Sequence, residues 1–146
     1  MARFTELEKQ IRKTLLDNMI NEGRCLETDH VAKQYSLSAH ELSKAFKNLE
    51  AGICIALTDD RHAEQDVFQE EKLTQSTPRK GEIFYIRPFA AFANHYPIWV
   101  DGKQKWYAEC AVEACGMSNI FPGSEVVIKT ICRQTKTPIE LSARNG

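Results

Sequence analysis

The chain has 146 residues, a formal net charge of −1 and 42% hydrophobic residues. That suffices for one ordinary domain or two small lobes, and the balanced charge argues against a dedicated nucleic-acid binder, which is usually distinctly basic. No stretch reaches the roughly 18 apolar residues of a membrane span, and the charged start MARFTELEKQ lacks the apolar core of a signal peptide, so a cytoplasmic protein without membrane contact is expected.

The first 57 residues read as a helical lobe. Thr5 and Glu8 have capping-box spacing, and Leu7, Ile11, Leu15 and Met19 recur at helical intervals until Gly23 stops the run. A second helix is expected over Asp29–Tyr35, capped by Thr28. Ser38 and Glu41 then open a third, whose Leu42, Ala45, Phe46 and Leu49 share one face before Gly52. ICIAL follows as a strand. Helix, tight turn, helix and strand together give a winged helix-turn-helix-like pattern over residues 1–57. Its recognition helix would present His40, Glu41, Lys44, Lys47 and Asn48. That mixed set carries little surplus positive charge, so DNA is a weak candidate partner.

Residues 58–81 are polar and charge-rich, with too few apolar residues to anchor a helix, and read as a linker. His62 lies within it. After Gly81 the composition turns aromatic and β-branched. EIFYIRPF and YPIWV read as strands, DGK as a turn, Tyr107–Cys115 as a short helix stopped by Gly116, and SEVVIKTIC with PIELSA as a closing hairpin. The expected fold class is α+β. A helical lobe precedes a small antiparallel sheet with one covering helix, residues 82–146.

The five cysteines are Cys25, Cys54, Cys110, Cys115 and Cys132. An odd number without a secretion signal implies reduced thiols, and the absence of a CxxC pair removes zinc-ribbon and thioredoxin readings. Within KWYAECAVEACG, Cys110 and Glu113 sit three apart on one helical face. A cysteine in the first helical turn is favoured as thiolate, a soft ligand for thiophilic metals. A carboxylic acid beside it can deliver a proton to a leaving group. The alternative for Glu109 and Glu113 is a solvated acidic edge. His95, in NHYP, stands next to a strand and could line the same pocket or simply belong to its loop.

The aromatic KWYAECAVEA, with its Cys-Ala-x-acid core, follows an RPF strand end and precedes TICRQTKTPIEL, a Cys-x-x-Thr-type hairpin. In these features the chain resembles the alkylmercury lyase (organomercurial lyase) family over most of its length. The resemblance implies protonolysis of a carbon–mercury bond. Cys110 would stand at the first mercury-binding thiol and Glu113 at the aspartate that relays the proton, one methylene longer. Cys132 would match a cysteine of mainly structural role that could serve as a second thiol. No cofactor is implied beyond mercury(II) as substrate and product ion, and the small-molecule partner is an organomercurial or another thiophilic-metal compound. The family's second mercury thiol is expected beyond Gly146, which makes a degenerate enzyme, a non-catalytic metal binder or a metal-responsive regulator the competing readings. Homodimerisation is the expected remedy for an unpaired sheet edge.

Overall fold

Thr5 and Glu8 do form a reciprocal capping box, launching α1 (Glu6–Glu22). Ile11, Leu15 and Met19 on its inner face are fully buried. The computed structural model describes residues 4–58, 81–132 and 134–144, so most of the 58–81 linker reading, His62 included, lies outside the described residues. α2 (Thr28–Gln34) has Glu27 at its N-cap position without a side-chain cap, so Thr28 is its first residue rather than its cap, and α3 (Ala39–Ala51) opens on the Ser38–Glu41 capping box. Asn48 on α3 donates to Glu8 at 2.7 Å, which with the Thr5 amide holds that buried carboxyl below its ordinary range and ties α3 to α1.

Two antiparallel sheets follow. The first has the order β1-β2-β3, with β1 (Ile55–Leu57), β2 (Ile83–Ile86) and β3 (Phe89–Ala90). The second has the order β5-β4-β6-β7, with β4 (Pro97–Val100), β5 (Lys103–Tyr107), β6 (Glu125–Ile131) and β7 (Pro138–Arg144). EIFYIRPF is therefore a hairpin and not a single strand: Ile86 pairs with Phe89 across the cis Arg87–Pro88 turn. Proline has no N–H with which to continue a ladder.

A larger correction concerns Tyr107–Cys115. The chain stays extended through Tyr107, pairing Pro97 with Tyr107 and Ile98 with Trp106, and Ala108 forms a bridge to Phe89. Only α4 (Ala111–Gly116) is helical. Trp106 explains the override: buried, it donates its indole N–H to the Met19 carbonyl at 2.8 Å and packs on Phe121 at 4.7 Å between ring centres. Satisfying that buried donor while pairing with β4 outweighs local helix propensity. Gly23, at φ +70°, permits the close approach of α1 and β5, since a Cβ there would fall 2.7 Å from the Lys105 carbonyl oxygen.

One apolar cluster runs from Ile11, Leu15 and Leu49 through Ile55 and Phe89 to Ile98, Val126 and Ile128. Helices and both sheets thus share a core. Among the described residues no helix is long and apolar enough to cross a membrane.

Candidate active site around Cys110

The spacing x-x-Glu after a small polar residue occurs three times at helix starts, and the comparison is informative. At Thr5–Glu8 and Ser38–Glu41 both side chains are consumed by capping hydrogen bonds to the backbone. At Cys110–Glu113 the same positions, N-cap and N3, make no side-chain cap. Sulfur is too weak an acceptor to hold the box together. The thiol and the carboxyl on this turn are therefore left for other partners.

Both side chains are half-buried. One carboxyl oxygen of Glu113 is buried without a hydrogen-bond partner. Burial raises its pKa, and the neighbouring Glu109 raises it further by its charge and by a side-chain hydrogen bond, while the Arg87 charge pulls the other way. Neither acid is a solvated edge, since Glu109 also buries a carboxyl oxygen. Its side chain, 14% exposed, is gripped by Arg87 through two contacts of 2.8 Å, Nη2 to Oε1 and Nε to Oε2. The Glu109 amide donates to the Pro88 carbonyl at 3.0 Å. The β2–β3 turn and the entry to α4 are thus fastened together immediately before the thiol.

Tyr85 completes the surroundings. Burial raises the pKa of its phenol, and the charges of Glu109 and Cys110 add to that effect, which places its hydroxyl in the field of both. Its ring belongs to an aromatic group with Phe84 and Phe92, at 4.5 and 5.6 Å between ring centres. Sequence reasoning gave no role to Arg87, Glu109 or Tyr85. The RPF motif marked the right turn, but only the β2–β3 hairpin shows that its arginine reaches forward 22 positions.

Cys132 is placed differently. β5 and β6 both run antiparallel to β4 and flank it, so Cys110 and Cys132 leave the sheet at the same end. Two strand spacings, about 10 Å, separate those two strands. The Cys132 thiol is held below its ordinary pKa by the Thr135 side chain and then by the Thr135 and Gln134 amides of its own turn. The structure therefore joins Cys110 to Glu113 and leaves Cys132 across β4. Cys115 is exposed on α4, and burial pushes the Cys25 thiol up to about 12. His95 is half-buried in the loop before β4. On α3, Glu41 and Asn48 are engaged in internal hydrogen bonds, leaving His40, Lys44 and Lys47 of the outward set.

A family model described as alkylmercury lyase matches residues 89–146, the segment that contains Cys110, Glu113 and Cys132. Over these residues the chain is similar to alkylmercury lyases. A solved structure, the mercury-bound form of MerB2, has the same fold: the two align with a TM-score of 0.62 at 17% sequence identity, covering 99% of this chain and 59% of that one. The lyase-like chain thus spans 59% of that protein's length. No curated protein matches its sequence.

Proposed function

We propose that this chain cleaves the carbon–mercury bond of an organomercurial by protonolysis, with Cys110 as the capturing thiolate and Glu113 as the proton donor. The observation that carries the reading is the uncapped Cys110–Glu113 turn, with its buried, partnerless carboxyl oxygen on a group whose pKa is raised by burial and by Glu109. The family match over residues 89–146 and the mercury bound to MerB2 support the choice of metal.

The steps follow from the residues. Cys110 thiolate displaces a ligand X⁻ from R–Hg–X and forms a sulfur–mercury bond, as suits a soft nucleophile and a soft cation. The Glu113 carboxylic acid then gives its proton to the carbon. The electron pair of the breaking carbon–mercury bond forms the new C–H bond, R–H departs, and mercury(II) stays on the Cys110 sulfur beside the newly ionised Glu113 carboxylate. Arg87 holds the Glu109 carboxyl in place, and Glu109 in turn raises the pKa of Glu113. Cys132, at the same end of the sheet, supports the site and is a candidate in this chain for a second mercury ligand.

Incubation with a phenylmercury compound tests the reading. Benzene is expected from the native chain and none from Cys110→Ser above the uncatalysed background; a native chain that yields no benzene contradicts it. The pH profile gives a second check. Once mercury is loaded on Cys110, release requires protonated Glu113, so the rate is level at low pH and falls as pH rises through the raised pKa. Glu109→Gln removes the charge that raises that pKa and leaves only a neutral amide oxygen as acceptor, so the falling limb moves to lower pH. Single-turnover release from the preloaded protein measures this without interference from thiol ionisation.

A further inference from the structure

β7 is paired with β6 along one edge, and among the described residues no strand pairs with the other. All of β7 is exposed except half-buried Ala143, and Ile139 and Leu141 show 38% and 47% of their surface. The β6–β7 turn closes with Cys132 N–H donating to the Thr137 carbonyl at 2.8 Å. Hydrogen-bonded and non-bonded pairs alternate from there along an antiparallel ladder. With Ile139 opposite Thr130, Leu141 opposite Ile128 and Ala143 opposite Val126, the odd-numbered residues spend their backbone groups on β6. Glu140, Ser142 and Arg144 therefore turn their N–H and C=O groups outward.

We propose that this edge pairs with the same edge of a second copy, antiparallel, about a two-fold axis at Ser142. In that register Ser142 faces Ser142 of the second copy and Glu140 faces Arg144 of the second copy, in both directions. Every outward backbone group from Glu140 to Arg144 gains a partner, two bonds per facing pair. Leu141 meets Ala143 of the second copy in a non-bonded pair, where side chains approach most closely, so exposed apolar surface is covered as the sheet extends.

Neighbouring registers do worse. Centring on Leu141 sets Arg144 against Pro138, which has no N–H to give, and centring on Glu140 opposes two like charges. Centring on Ala143 leaves Glu140 without its basic partner. The existing bridge of Glu140 to Lys129, 3.3 Å on the exposed face, leaves the Glu140 carboxylate poised beside the incoming arginine. Such exposed charges select register more than they add affinity. An unprotected strand edge is otherwise an aggregation hazard, and isologous pairing closes it.

Sedimentation velocity across a micromolar concentration series tests the proposal. The native chain is expected to be a dimer. Ser142→Pro removes an outward donor while leaving the β6 ladder intact, and should raise the dimer dissociation constant at least about tenfold, which is about 1.4 kcal/mol. Arg144→Glu should weaken the dimer, and adding Glu140→Arg should restore it; this pair carries the test if the proline variant fails to fold. A native chain that stays monomeric throughout the series, or a dimer indifferent to Ser142→Pro and Arg144→Glu, overturns the proposal.

Discussion

Replacing Glu113 by glutamine is expected to lower hydrocarbon release by about 100-fold or more while leaving capture of the mercurial by Cys110 intact. Glutamine keeps the size and the half-buried position of the side chain but has no acidic proton, and positioned general acids are generally worth about 10² to 10⁴ in rate. The separation of the two steps is the informative part. A purely structural Glu113 would, on substitution, disturb capture and release together. Glu113→Asp is a useful companion, because it preserves the acid and shifts it by one methylene. The N3 position on a short, rigid turn gives the carboxyl few ways to compensate, and reacting geometry is sensitive at about the 1 Å level. Quantifying benzene in single turnovers, with the protein–mercury adduct followed by intact mass, measures both steps in one sample.

The second large effect is structural. Phe89→Ala is expected to destabilise the chain by about 3–5 kcal/mol. Phe89 is fully buried, pairs with Ile86, bridges to Ala108 and meets Phe121 edge-on at 6.4 Å. It lies between the Arg87–Pro88 turn and the strand that delivers Glu109 and Cys110, so truncation opens a cavity where the two halves of the site are joined. Against a typical stability of about 5–15 kcal/mol, that loss is a large fraction. Urea denaturation gives the magnitude, and the Arg87–Glu109 bridge should loosen in the folded fraction.

Much of the helical part was legible because its signals are local. The two capping boxes, the stripe of Ile11, Leu15 and Met19, and the face of Leu42, Phe46 and Leu49 all stand where their spacing put them. The errors came where distant contacts decide. Tyr107–Cys115 has helical spacing, yet the indole of Trp106 finds its acceptor on Met19, 87 positions away, and holds the segment as a strand through Tyr107. The displaced helix start moves the thiol from the first turn to the N-cap without separating it from Glu113. The site was half legible for the same reason. Cys110 and Glu113 are neighbours by sequence, whereas Arg87 and Tyr85 come from another sheet and meet Glu109 only in the folded chain. Glu109, next to the thiol, read as solvated because nothing local announces its arginine clamp.

The most direct measurement is to offer one equivalent of a phenylmercury compound to the native chain, with its five free thiols, and to locate the metal by peptide mapping before and after benzene is released. Phenylmercury first on Cys110, followed by inorganic mercury on the same sulfur as benzene accumulates, is the predicted sequence. Mercury carried mainly by exposed Cys115 or by Cys132, with the carbon–mercury bond intact, would contradict a Cys110–Glu113 site.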